Sequence, residues 1–371
     1  MLATQITNYQ CPACTGPLHF DAQSGKLKCD YCGSIFEVQQ IEALYADELQ
    51  AAETAGAAVN EQSAEGAWDF SQDGEWDAGR EGMKSYSCPS CGAELICEAT
   101  TAATSCPYCG NPTVVPAQFH GMLRPDYILP FKQSREDAVE ALRRYYNGKP
   151  LLPRAFSDSN HIEEVKGVYV PFWLFGGRVE ADISFNATRV QVHRHGDTTV
   201  TETHHYELRR RGTVDFERIP ADASSKMPDA LMDAIEPFDY SEFKKFSTAY
   251  MPGFLAERYD MASDDVRERA DRRAFSTATA MVAETAGAGY TSCTVSGQKT
   301  RLSRGKVKYA LLPVWMLSTR YAGKNYIFAM NGQTGKFIGD LPISKGRALA
   351  WFAGIAAPIA AAIAVALQFF G

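Results

Sequence analysis

Val168-Tyr-Val-Pro-Phe-Trp-Leu-Phe175 is an apolar run without a single charge. A short run rich in β-branched and aromatic residues reads as a buried strand. Pro171 has no N–H for a ladder, which predicts an edge or a bulge at that point. The pattern returns in Tyr309-Ala-Leu-Leu-Pro-Val-Trp-Met-Leu317. Pro171-x-Trp173 and Pro313-x-Trp315 hold the same place in the two runs. Each run follows a predicted helix and precedes a predicted polar hairpin. The echo predicts an α+β body with antiparallel sheets over residues 119–346, built as two related halves.

Around these runs the local signals are clear. Ser134 with Asp137 three residues on makes a capping-box arrangement for a helix over 134–146. Asn147-Gly148 ends it, and Ala138, Leu142, Tyr145 and Tyr146 form its inner face. Alternation over 179–195 and 198–210 predicts a long hairpin turning at Gly196-Asp197. Residues 220–260 mix short helices with aromatic turns. A longer helix is expected over 264–286, capped by Ser263. Strands follow near 291–296, 300–321, 324–330 and 336–341. Asn331-Gly-Gln-Thr-Gly-Lys336 has too few residues between its glycines for a phosphate loop and reads as a hairpin turn.

The chain carries ten cysteines, eight of them in four C-x-x-C pairs. Cys11 and Cys14 precede Cys29 and Cys32 by a gap of fourteen residues, and Cys88 and Cys91 precede Cys106 and Cys109 by the same gap. Two such turns can offer four thiolates to one tetrahedral ion. The spacing predicts two four-cysteine zinc ribbons, at 1–39 and 84–118, each holding one structural Zn2+. Iron in rubredoxin-like knuckles would use the same ligands. A redox dithiol needs one C-x-x-C at a helix start, not two paired turns. Gly33, Gly92 and Gly110 follow their turns, where a residue without Cβ fits best. Cys97 and Cys293 read as small buried residues, and His19 as surface packing. The intervening 40–83 has eleven acidic residues against one arginine and reads as an acidic linker. Trp68, Phe70 and Trp76 are unusual there: they dock on a partner or on the ribbons, or make only transient self-contact.

Ala348–Phe370, ALAWFAGIAAPIAAAIAVALQFF, has no charged residue. As a helix it would be roughly 34 Å long, enough for a bilayer core of about 30 Å. Lys345 and Arg347 flank its near end, and positive flanks stay cytoplasmic. The stretch therefore predicts a single-pass transmembrane anchor at 347–371, with the body in the cytoplasm at the membrane. A buried core helix is the competing reading, because alanine is weakly lipophilic and Gly354 and Pro358 sit mid-span. The start of the chain has no signal-peptide pattern.

A net charge of −7 and a pI near 5.6 argue against a large nucleic-acid footprint. His193, His195, His204 and His205 lie on the 179–210 hairpin. Pairing about 196–197 sets His193 beside Val200, so His204 and His205 fall too far along to complete a metal site. Arg209-Arg210-Arg211 reads as a solvated strand end, with anionic headgroup contact as the sharper alternative. No G-x-S-x-G, dinucleotide fingerprint or H-E-x-x-H occurs. The chain is expected not to be an enzyme, and no small-molecule substrate is expected.

The stretches 219–260 and 311–344 (LLPVWMLSTRYAGKNYIFAMNGQTGKFIGDLPIS), with VPFWLF at 170–175 and both cysteine quartets, resemble the bacterial transcription factor IIB-type zinc-ribbon proteins. The resemblance covers nearly the whole chain. Members are sometimes labelled a replication-restart helicase, but this sequence has no helicase motif. The resemblance implies a membrane component of gene clusters with an SPFH-domain protein and phage-shock protein A. It implies an envelope-stress adaptor that recruits an SPFH-domain partner. Nucleic-acid binding through the ribbons is the alternative function; only Lys26 and Lys28 near the first ribbon favour it.

Overall fold

The computed structural model describes residues 9–54, 69–70, 83–87, 94–98, 101–105, 112–114, 123–154, 156, 162–195 and 198–370. Its centre is one mixed sheet of eleven strands. Three very long strands form its spine: β10 (Ile162–His195), β11 (Thr198–Asp222) and β14 (Ser292–Tyr321). β10 lies between the other two, antiparallel to both. Earlier in the chain come β1 (Leu18–Asp21), β2 (Lys26–Cys29) and β3 (Ile35–Phe36), which form a separate small sheet, then α1 (Val38–Thr54). β4 (Asp69–Phe70), β5 (Met83–Ser87), β6 (Glu94–Glu98), β7 (Thr101–Ser105), β8 (Pro112–Val114), β9 (Tyr127–Ile128) and α2 (Arg135–Tyr146) follow. After β11 come α3 (Asp229–Ala234), β12 (Lys244–Lys245), β13 (Leu255–Glu257) and α4 (Ser263–Glu284). β15 (Lys324–Asn331), β16 (Phe337–Gly339) and α5 (Lys345–Phe370) complete the chain.

The two apolar runs are neighbours in this sheet. Tyr169 opposes Pro313, Pro171 opposes Leu311 and Trp173 opposes Tyr309. Alternation sorts their side chains into two cores. Tyr169, Trp173, Phe175, Tyr309, Leu311 and Trp315 join the larger cluster on one face. Val168, Val170, Phe172, Leu174, Ala310, Leu312 and Val314 join Met232 and Ile235 of the α3 segment on the other. Burial on both faces is why neither run carries a charge. Each tryptophan of the echo donates its indole N–H to a backbone carbonyl, Trp173 to Met261 and Trp315 to Gln133, both at 2.9 Å.

Pro171 is not at an edge. It sits where β10 changes partners on one side, from parallel β13 at Val168–Tyr169 to β11 from Phe172 onward. The handover leaves no ladder bond for its missing N–H to break. The bulge falls instead at Gly176-Gly177, where the register to both β11 and β14 slips. A Cβ on Gly305 would lie 2.9 Å from the Gly176 carbonyl oxygen, so all three strands can bend together there. This fuses the predicted strand 168–175 and hairpin arm 179–195 into one element. Beyond the bend α4 covers one face through Ala274, Ala278 and Val282. α4 begins at its expected cap, one residue before its expected start: Ser263 is helical and buried, and Asp265 accepts the Ala262 N–H at 2.8 Å.

α2 has the capping box its sequence spells, with Ser134 and Asp137 bonded reciprocally. Asn331 turns β15 into β16 by accepting from the Gln333 and Thr334 N–H groups, both at 2.9 Å. That bonding explains the loop without a phosphate.

Two expectations are corrected. Among the described residues no helix is long and apolar enough to cross a membrane. The transmembrane anchor at 347–371, and the placement at the cytoplasmic membrane that rested on it, are therefore not supported. α5 does form, but much of it is alanine, which buries little apolar surface, and Pro358 lies inside it. Its start is tied to the body, with the Ser344 N–H on the Leu151 carbonyl at 2.9 Å and Arg347 on that of Leu152. The second correction concerns the body, which is one mixed sheet rather than antiparallel sheets, because β4, β9 and β13 pair in parallel with the long strands. Asp69–Phe70 pair in parallel with Lys306–Val307 of β14, so this part of the acidic tract lies on the body sheet rather than on the ribbons.

Candidate metal centre

Two tight turns build the centre. In the first, the Gly16 carbonyl accepts the Cys11 N–H at 2.7 Å and the Cys11 carbonyl accepts the Thr15 N–H at 2.8 Å. In the second, the carbonyls of Ser34 and Cys29 repeat this with the Cys29 and Gly33 N–H groups at 2.9 and 3.0 Å. Both turns need a left-handed residue at the same place: Gly33 has φ +73 and Thr15 has φ 60. β1 and β2 pair between the turns, Leu18 opposite Cys29 through Asp21 opposite Lys26, and bring the two turns face to face.

The sulfur atoms of Cys11, Cys14, Cys29 and Cys32 all lie within 4.8 Å of one another. Cys11 to Cys32 is 3.6 Å and Cys14 to Cys29 is 3.5 Å. Zinc–sulfur bonds of about 2.3 Å in a tetrahedron put sulfurs roughly 3.8 Å apart, so the quartet fits a Zn2+ ion with slight expansion. The donor set is all-sulfur and uses every tetrahedral position, which is the arrangement of a structural site. Cys11 and Cys29 are buried, while Cys14 and Cys32 face solvent.

Without a cation the four sulfurs cannot ionise equally. The Ser34 hydroxyl, then the Ser34 backbone N–H, lowers Cys32 to about 6. At Cys14 the Gly16 N–H pulls downward most strongly, but the thiols of Cys32 and Cys29 outweigh it and push the group up to about 12. Neighbouring sulfurs compete for one negative charge, and a divalent ion relieves that competition. Ser34 is a supporting residue that spacing alone does not reveal; its signal is its place two residues after Cys32. Thr15 is equally hidden, although aligning the two turns puts it opposite Gly33.

The ribbon does not stand apart from the body. Phe20 donates its N–H to the Pro252 carbonyl at 2.9 Å, and its ring meets Tyr250 at 5.4 Å and Phe254 at 6.4 Å. The Tyr9 and Thr248 hydroxyls are 2.5 Å apart. Cys11, Leu18, Leu27 and Cys29 share one hydrophobic cluster with Phe131, Tyr169 and Trp173 of the body. Gly253 has φ +93, and a Cβ there would lie 3.2 Å from His19 Nδ1. His19 is therefore part of the docking seam and also pairs with Asp30 at 2.9 Å.

Cys88, Cys91, Cys106 and Cys109 lie outside the described residues. The strands beside them are described: Ser87 opposes Glu94, and Ser105 opposes Pro112. Cys293 is half-buried against the small α4 cluster. On the hairpin His193 opposes Val200, His204 opposes Arg189 and His205 opposes Thr188. The described histidines thus spread along the hairpin. Arg209 and Arg211 are not a free basic run; both hold Asp182, and Arg209 foremost lowers that carboxyl to about 2.

Residues 10–40, which include the whole quartet, match the Trm112p-like protein family. Over 351 residues the chain is 37% identical to "Uncharacterized protein YdjG" of Bacillus subtilis (strain 168), across 95% of this chain and 94% of that protein. The chain belongs to the YdjG family. The N-terminal ribbon of this chain is thus a Trm112p-like zinc-ribbon element with four cysteines. No solved structure matches the chain.

Proposed function

We propose that this protein is a non-catalytic adaptor whose zinc-loaded ribbon and sheet body form one rigid surface for a protein partner. The observation that carries the reading is the shared core of ribbon and body, with Cys11 and Cys29 packed in it beside the body's aromatic residues. A closed all-sulfur site holds structure and leaves no position for a substrate. The metal then sets the shape of the seam formed by Phe20, His19 and the 247–254 segment. The resemblance of the sequence to zinc-ribbon proteins of SPFH gene clusters supports an SPFH-domain protein as the partner class. A second ion on Cys88, Cys91, Cys106 and Cys109 belongs to the same proposal.

The test joins metal analysis to binding. Elemental analysis of the purified full-length chain should give two zinc ions, falling by one in Cys29→Ser. An SPFH-domain protein from the same cell should bind the zinc-loaded chain and lose at least tenfold in affinity with Cys29→Ser. Equal binding by both proteins would remove the ribbon from the partner surface. Binding to neither would sink the adaptor reading for that partner class.

A further inference from the structure

The bend in the sheet leaves a cleft of about 310 Å³ beside β14. Gly176, Gly177 and Gly305 line it together with Tyr127, Phe216, Arg218, Lys306 and Lys308. Aromatic rings stack beside it: Tyr127 stacks on Phe243 at 5.1 Å, Phe243 stacks on Tyr240 at 5.1 Å, and Arg218 lies 5.8 Å over the Phe243 ring. Three cations face it against Glu217, with Asp126 holding Lys308 at 3.0 Å. The balance is positive on a protein whose net charge is −7.

The backbone beside the cleft is a sheet edge. β10 covers one side of β14 along most of its length. On the other side β15 pairs with Val314–Tyr321 and β9 with Ala310–Leu311. Next along that edge are Lys306–Val307, which receive Asp69–Phe70 of the acidic tract in parallel. Among the described residues no strand pairs with this edge from Ser292 to Gly305. An open edge recruits extended peptides through backbone bonds, while neighbouring side chains choose which peptide.

We propose that the Lys306–Val307 edge and the Arg218/Lys306/Lys308 cleft form a docking groove for an extended acidic segment carrying an aromatic residue, and that this chain's own Asp69–Phe70 occupies the groove in cis. The occupant has the matching chemistry. Residues 61–77, EQSAEGAWDFSQDGEWD, carry acidic side chains and three aromatic residues but no cation. A tethered segment competes at an effective concentration in the millimolar range. A partner that presents the same chemistry must displace it, so the linker sets a threshold for binding. This site is distinct from the ribbon seam and does not depend on the adaptor reading.

The experiment uses the full-length, zinc-loaded chain and a fluorescent peptide of residues 61–77. In Asp69→Pro/Phe70→Pro the segment loses the N–H groups of its ladder, so amide exchange at 305–308 should rise at least tenfold. The peptide should bind this variant at least tenfold more tightly than it binds the wild type. Adding Lys306→Glu to the variant should abolish that binding, and raising salt from about 50 to about 300 mM should weaken it severalfold. Unchanged exchange at 305–308 would overturn the cis occupant. Peptide affinity unchanged by Lys306→Glu would overturn the groove. Equal zinc content and circular dichroism across the variants keep a folding defect from imitating either result.

Discussion

At the scale of single residues, the metal turns hold one conformational anomaly and the core one electrostatic one. Thr15 adopts φ 60, a region that costs a β-branched residue about 1–2 kcal/mol and glycine almost nothing. Its counterpart in the second turn is Gly33. Thr15→Gly should therefore raise stability, offset in part by glycine's entropy in the unfolded chain, for a net gain of about 0.5–1 kcal/mol. Urea unfolding with excess zinc measures it, and a loss of stability would mean that Thr15 does more than accept the turn. Asp222 is the second case. It is fully buried, and burial raises its carboxyl to about 6 against the pull of Arg269. The folded state holds this proton more tightly than the unfolded chain does. The contribution is therefore full below about pH 4 and is lost as pH rises through about 6. Asn cannot titrate, so the stability of the wild type relative to Asp222→Asn should fall by about 1 kcal/mol between pH 5 and pH 7. A flat difference across that range would show that Arg269 keeps Asp222 ionised throughout.

At the scale of elements, what is legible in the sequence is what local rules determine. The α2 cap, the register that pairs His195 with Thr198 and the turn at Asn331 each follow from a few adjacent residues. The continuity of β10 is not legible. Gly176-Gly177 reads as a break between a strand and a hairpin, and only the partner strand shows otherwise. Gly305 must lie opposite for the backbones to approach, and it is far away in sequence. Gly305→Ala puts a methyl group 2.9 Å from the Gly176 carbonyl oxygen, a backbone atom with nowhere to swing. The substitution should cost about 1–3 kcal/mol, the range for overpacking a tight site. Thermal unfolding should show this as a clear drop, whereas Gly297→Ala on the same strand, with nothing within 4 Å, should change little. Equal effects at both sites would mean that the bend is not a close contact. The last helix misleads for a different reason. Absence of charge in Ala348–Phe370 reads as lipophilicity, but charge and apolar area are different quantities, and alanine has little of either.

At the scale of the molecule, the four cysteines of the first quartet are readable from spacing alone, while the ribbon's place in the fold is not. Spacing says which sulfurs meet; it says nothing of what the outer face of the small sheet touches. Phe20 finds Tyr250 and Phe254, residues with no sequence mark that links them to a ribbon. This contact makes the metal a part of the body's stability. A ribbon on a free tether would lose only its own structure when zinc is removed. Here the loss of β1 and β2 would uncover Phe254, which stacks on Phe131 at 4.1 Å and packs on Trp315 and Tyr169 in the body's core. Chelation should therefore raise amide exchange in two places, at residues 9–36 and at 247–256, and should lower the unfolding midpoint of the body by several degrees. Exchange in β10 and β14 beyond the bend, near residues 180–186 and 298–303, should stay as it was, because that part of the sheet leans on α4 instead. If chelation exposes only residues 9–36 and leaves 247–256 protected, the seam is a passive contact. The ribbon would then be an attached module rather than a structural member of the body.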